Sequence, residues 1–132
     1  MLAGHSIIAA LTLVWAASTP PGAATADTQA SYKAAIIYNI IRFANFDAAG
    51  PSVLNLCVAQ GDTMSPALKD LAGKRVGQRQ LDVRTVAVPA DAAACDIAYV
   101  GTDAAFRRAL PRTALSIGEA PNFAASGGVG LV

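Results

Sequence analysis

Few side chains of this 132-residue chain are suited to acid–base chemistry. It has one histidine, His5, and one glutamate, Glu119. Glu119 follows a predicted strand, the place where the sites of α/β proteins often gather. A secreted hydrolase using Glu119 or Asp96 is therefore one hypothesis, but Glu119 has no histidine or second carboxylate near it in sequence. We expect Glu119 to be a surface turn residue, and we predict no catalytic, cofactor-binding or metal site.

The end of the chain, PNFAASGGVGLV, has a glycine cluster that invites comparison with a phosphate-binding loop. Such loops need G-x-G-x-x-G between a strand and a helix, or a Lys-Ser/Thr pair after the glycines. Neither pattern is present, so a phosphate loop is the weakest interpretation. We expect a strand to open at Val129 instead.

The basic residues do not indicate a nucleic-acid site. The formal net charge is only +1, and Asp70 and Asp82 dilute the densest basic segment, residues 69–84. Aromatic side chains, on which bases would stack, are absent from that segment. We therefore expect solvated side chains and no nucleic-acid partner.

The first 26 residues carry no Asp, Glu, Lys or Arg, and residues 7–17 form an apolar run. That run is too short to cross a membrane, which takes roughly 20 residues. A Pro-Pro-Gly break and small residues follow it, the layout of a secretory signal peptide over residues 1–26, cleaved between Ala26 and Asp27. The alternatives are an uncleaved anchor and a misassigned start. Cleavage would leave residues 27–132 without histidine, which excludes Ser-His-Asp and Cys-His catalysis there.

Two cysteines, Cys57 and Cys95, lie 38 residues apart, unlike the close pairs of zinc or redox motifs. In an oxidising compartment an even pair favours a disulfide. The alternative is that both are buried free thiols.

The hydrophobic patterns predict alternating helices and strands. Strands are expected at 53–59, 81–88, 96–100 and 113–117, and helices at 27–46, 65–72 and 103–110, the last capped by Thr102. This alternation predicts one α/β domain over residues 27–132, with a mostly parallel or mixed sheet flanked by helices. We expect the aromatic residues of the first helix, Tyr32, Tyr38, Phe43 and Phe46, to pack in the core rather than to bind a partner.

The order of several segments carries a family resemblance. SYKAAIIYNIIRFANF, LNLCVAQGD, LAGKRVGQRQLDVRTV, ACDIAYVG and ALSIGEAPNFAASGGVGLV together resemble the YfiR/HmsC-like family of exported bacterial proteins, over residues 31–132. Lys33-Ala34-Ala35 matches the start of the family's first helix, and the positions of Cys57 and Cys95 imply an intramolecular disulfide. Gly118-Glu119 stands where the family usually has Ser-Asp, which puts any specific role of that turn in doubt.

The resemblance implies a periplasmic, non-enzymatic regulator. Similar proteins repress a membrane-bound diguanylate cyclase by binding its periplasmic sensor domain, which keeps cyclic di-GMP and biofilm formation low. An outer-membrane lipoprotein is an implied second partner, and homodimers are expected. The family continues past the Gly-Gly through further strand and helix, so we expect the domain here to lack its C-terminal elements. The alternative function is a periplasmic small-molecule-binding module that uses the turns at 61–65 and 118–128.

Overall fold

A computed structural model describes residues 4, 10, 12–17, 21–46, 50–87 and 89–131. Its centre is a six-stranded sheet. In chain order the strands are β1 (Val53–Ala59), β2 (Arg75–Val76), β3 (Arg79–Val86), β4 (Ile97–Gly101), β5 (Leu115–Gly118) and β6 (Val129–Gly130). They are arranged β2-β3-β1-β4-β5-β6, and every pair is parallel except β2 with β3. The predicted single α/β domain with a mixed sheet is confirmed.

Three α-helices flank the sheet: α1 (Pro21–Phe43), α2 (Ser65–Lys69) and α3 (Ala104–Ala109). Two 3-10 helices, Pro89–Ala94 and Ala124–Ser126, complete the elements. The prediction that the first helix starts at residue 27 is wrong. Pro21 opens it because proline suits the first helical turn, whose N–H groups have no intrahelical partner.

Two smaller predictions also need correction. Thr102 does not cap α3. Asp103 does so, because its carboxylate accepts a hydrogen bond from the Phe106 amide at 2.9 Å. The short strand β2 was not predicted, since two residues are too few to show an alternating pattern.

The sheet separates two apolar clusters because successive strand residues point to opposite faces. Leu56 of β1 and Ile97 and Tyr99 of β4 face α1 and α2, where they meet the buried Ile37 and Ile41 of α1. The other face has Cys57, Ala98 and Val100, covered by Ala92, Phe106 and Phe123. The register pairs Leu56 with Val83 on one side and with Ile97 on the other.

The predicted leader, residues 1–26, lies partly outside the described residues, and cleavage between Ala26 and Asp27 stays a prediction. Both residues of that position lie within α1. Among the described residues, none of the helices is both long and apolar enough to span a membrane. The expected lack of C-terminal strand and helix elements also stays a prediction.

Candidate binding surface and the carboxyl edge of the sheet

Among the described side chains of α1, the large apolar ones that are exposed lie on one face of the helix. Tyr32 is 70% exposed, Ile36 36% and Phe43 88%. Their spacings of four and seven residues place them one above another, since an α-helix has 3.6 residues per turn. We call these three residues the α1 stripe. It lies on the side opposite to Ala34, Ile37 and Ile41, which are buried against the sheet.

The other two aromatic residues of this region behave differently. Tyr38 and Phe46 are partly buried and pack against the cluster under α1. The Tyr38 hydroxyl donates a hydrogen bond to the Arg75 carbonyl at 2.6 Å, and the Arg42 and Lys74 cations lie over its ring. The prediction of core packing is thus confirmed for Tyr38 and Phe46 and wrong for Tyr32 and Phe43.

Helical phase explains this division. At 100° per residue, Tyr38 lies within about 60° of the buried Ala34 and Ile41, whereas Tyr32 and Phe43 lie about half a turn away from those two residues. The sequence contained this signal, because the buried positions already repeat at 34, 37 and 41. Large apolar side chains exposed on one face of a helix are candidates for an interaction site in a soluble protein.

A polar cluster occupies the carboxyl edge of the sheet, near the ends of β1, β4 and β5. Lys33 of α1 forms an ion pair with Glu119 at 2.6 Å. Beneath them, burial raises the pKa of the Tyr99 hydroxyl above its ordinary value, and the negative charges of Glu119 and Asp62 raise it further. Glu119 therefore forms an ion pair with Lys33 and lies near the neutral Tyr99 hydroxyl. The ion pair links α1 to the end of β5 in the sheet.

Asp96, the other candidate of the hydrolase hypothesis, lies at the opposite end of the sheet. It precedes β4, and its carboxylate accepts a hydrogen bond from the backbone amide of Asn55 at 2.8 Å. Since β4 and β5 are parallel, Asp96 and Glu119 are separated by the length of a strand. The structure does not bring these two carboxylates together.

The turn at 118–128 closes around Phe123. A Cβ atom added to Gly118 or Gly128 would collide with the Phe123 ring, so both positions need glycine for close packing. Arg107 lies over the same ring, 4.4 Å from its centroid, and donates a hydrogen bond to the Ser126 carbonyl. The glycine cluster thus serves packing and a turn, with Gly127 in the left-handed region (φ 92°), and β6 opens at Val129 as predicted.

The two turns that a small-molecule-binding function would use, 61–65 and 118–128, have different surroundings. At 61–65, the Asp62 carboxylate is used within the turn, where it accepts a hydrogen bond from the Met64 amide at 2.8 Å. Beside the turn at 118–128 lies an open groove of about 530 Å³, lined by residues that include Lys33, Glu119, Asn122 and Leu131. In the part of the chain that the structure describes, no group of three or more His, Cys, Asp or Glu side chains could hold a metal ion.

The predicted pairing of Cys57 with Cys95 is present as a disulfide, with the Cα atoms 5.8 Å apart. It joins the middle of β1 to the residue that follows the 3-10 helix Pro89–Ala94.

Comparison with known families adds one finding: the family described as YfiR/HmsC-like matches residues 30–132. The chain belongs to this family. The resemblance carried by the segment order is thereby confirmed. Among curated proteins, none matches the chain.

Proposed function

We propose that this YfiR/HmsC-like protein is a non-enzymatic periplasmic regulator that represses a membrane-bound diguanylate cyclase by binding its periplasmic sensor domain. The observation that carries the proposal is the α1 stripe, Tyr32, Ile36 and Phe43, on a chain of this family. Repression through binding needs an accessible surface rather than a catalytic centre.

The composition of the α1 stripe suits a protein partner. Aromatic residues are enriched at the energetic centres of interfaces, where they supply large contact areas with few rotatable bonds. The helix that bears them is fixed from beneath by Ile37 and Ile41 and at its side by Tyr38. A partner would therefore meet a rigid surface, which reduces the entropic cost of binding.

The periplasmic location is supported by the disulfide. Disulfides form and persist in oxidising compartments, of which the bacterial periplasm is one. The predicted leader over residues 1–26 is consistent with that location. A homodimer and an outer-membrane lipoprotein partner are further proposals of the same kind, and we assign the α1 stripe to the cyclase rather than to either of them.

The proposal is tested by measuring cyclic di-GMP in cells. Deleting the gene should raise cyclic di-GMP, and returning the wild-type gene should lower it again. A Tyr32→Ser/Phe43→Ser variant should accumulate normally in the periplasm but fail to lower cyclic di-GMP. Val53→Ser, which changes an exposed apolar residue outside the stripe, should act like the wild type. Unchanged cyclic di-GMP after deletion would contradict the proposal.

A further inference from the structure

The α1 stripe is part of a longer pattern on the outer face of α1. Gln29, Tyr32, Ile36, Asn39 and Phe43 are all exposed, and the steps between them are three, four, three and four residues. At 100° per residue the five lie within about 80° of one another around the helix, over a length of about 21 Å. We call these five residues the α1 seam. Their alternation of three and four residues is that of positions a and d in a coiled coil.

The spacing of the α1 seam selects one kind of partner. A strand presents side chains to one face at every second residue, whereas a second helix at a small crossing angle meets positions spaced by three and four. Tyr32, Ile36 and Phe43 would fill the holes between the side chains of such a helix. Gln29 and Asn39 would add polar positions, which fix the register of paired helices.

One flank of the α1 seam carries an excess of positive charge. Arg42 of α1 and Lys74 both lie over the Tyr38 ring, 5.7 and 5.6 Å from its centroid. Neither cation forms an ion pair with any described residue. Asp70 lines the groove between α1 and α2 on this side. Two cations against one carboxylate leave this flank positive.

The opposite flank of the α1 seam is neutral. Lys33 lies there, and its charge is balanced by the ion pair with Glu119. Asp27 is the one acidic residue in the sequence of α1, and it lies half a turn away from Ile36, on the far side of the helix. A partner that complements the α1 seam therefore needs acidic side chains along one edge, the edge beside Arg42.

We propose that the α1 seam binds an amphipathic α-helix of the cyclase sensor domain, whose acidic side chains lie along Arg42 and Lys74. For the identity of the partner this inference rests on the proposed function, and it adds the kind of element that covers α1. A second copy of α1 has no acidic edge, because one of its flanks is positive and the other is neutral. A lipid surface makes no use of the heptad spacing.

The probe for the test is a synthetic three-heptad helical peptide with leucine at positions a and d and glutamate at e and g, whose like charges oppose self-pairing. An NMR titration of the full chain should give saturable shifts of the Tyr32, Ile36, Asn39 and Phe43 amides. We expect a Kd of roughly 100 μM, because two short helices bury a small interface.

Two control peptides separate spacing from charge. A peptide of the same composition in scrambled order should bind at least about tenfold more weakly, because its leucines no longer form a seam. A peptide with lysine in place of glutamate should bind at least about threefold more weakly, the scale of exposed ion pairs, and raised salt should reduce that difference. Arg42→Glu should reverse the preference between the glutamate and lysine peptides.

Variants of the chain locate the site, and their positions are exposed, so folding should be retained. Tyr32→Ser/Phe43→Ser should weaken binding of the glutamate peptide at least about tenfold, and Val53→Ser should not change it. Gln29→Leu should tighten binding at least about threefold, because it adds an apolar side chain at an a position. Ser31→Leu, which is exposed on α1 outside the α1 seam, should have no effect.

Several results would overturn the proposal: equal binding of the ordered and scrambled peptides, equal effects of Gln29→Leu and Ser31→Leu, or no saturation. A dimer of the peptide-free chain that Tyr32→Ser/Phe43→Ser dissociates would assign the α1 seam to a second copy instead. Binding to phosphatidylglycerol vesicles that the same variant abolishes would assign it to a membrane. The titration contains no cyclase. If the peptides do not bind but gene deletion raises cyclic di-GMP, the helical partner is wrong and the proposed function stands.

Discussion

The two faces of the sheet are covered by helices of very different length, 23 residues for α1 against six for α3. Beneath α1, large aliphatic side chains such as Ile37, Ile41 and Leu56 are fully buried. Beneath α3, the buried side chains of the sheet are smaller, Cys57, Ala98 and Val100. That second face has additional links: the disulfide, the Asp103 cap and the contact of Arg107 with Phe123.

The difference shows two ways to hold a helix on a sheet. A long helix with large apolar residues is stabilised mainly by burial, to which the Lys33–Glu119 ion pair and the Tyr38 hydrogen bond are added. Its outer face carries the α1 stripe. A six-residue helix buries too little to be stable by itself, so covalent and polar links fix the segments around it. Four changes test this contrast, from the largest expected effect to the smallest.

Removing the disulfide should have the largest effect. A Cys57→Ala/Cys95→Ala variant should lose about 4 kcal/mol of unfolding free energy, because it frees a loop of 38 residues in the unfolded chain. Denaturant unfolding measures the total loss. A loss no larger than that of Ile37→Ala, the next variant, would contradict this order of effects.

Truncating the core face of α1 should have the next largest effect. Ile37→Ala should cost about 3 kcal/mol, since Ile37 is fully buried and leaves a cavity. The matched control is its neighbour Ile36→Ala, on the exposed face, whose stability should change by less than about 0.5 kcal/mol. Urea titrations of the two variants give the comparison. Similar losses of unfolding free energy in Ile37→Ala and Ile36→Ala would show that α1 does not have one buried and one exposed face.

Removing the cap of α3 should have a smaller effect. Asp103→Ala should lose about 1 kcal/mol, because the Phe106 amide loses its acceptor. Thr102→Ala, one residue earlier, is the control and should be nearly neutral. Thermal unfolding monitored by circular dichroism distinguishes the two. A greater loss of stability in Thr102→Ala than in Asp103→Ala would show that Thr102 caps the helix, as the sequence predicts.

The smallest effect concerns alkaline pH. The pKa of Tyr99 is raised in the folded protein, so its stabilising contribution is complete below the unfolded pKa of about 10. It is lost as the pH rises from that value toward the folded pKa. Unfolding free energy should therefore fall less steeply above pH 10 in Tyr99→Phe than in the wild type. An equal slope in Tyr99→Phe and the wild type would contradict this expectation.

Much of the fold was predictable from the sequence because its patterns are local. Strand β1 occurs at the predicted residues, 53–59, where a continuous apolar run indicates a strand covered on both faces. The pairing of Cys57 with Cys95 followed from the count of two and the inferred compartment. The start of α1 was missed because Pro20-Pro21-Gly22 was interpreted as a break, although proline is also common at the first position of a helix.

The candidate sites were less predictable, because they depend on contacts between distant segments. The ion pair of Lys33 with Glu119 joins α1 to the end of β5, 86 residues later. Helical phase, in contrast, would have separated Tyr32 and Phe43 from Tyr38 without a structure.

The most direct test of the central claim is the affinity of the purified chain for the periplasmic sensor domain of a membrane-bound diguanylate cyclase from the same organism. We predict that the wild type and Val53→Ser bind this domain equally. Tyr32→Ser/Phe43→Ser should bind at least about tenfold more weakly, the scale of an interface hot spot, with an unchanged melting temperature. Equal binding by the stripe variant, or no binding by the wild type, would contradict the account.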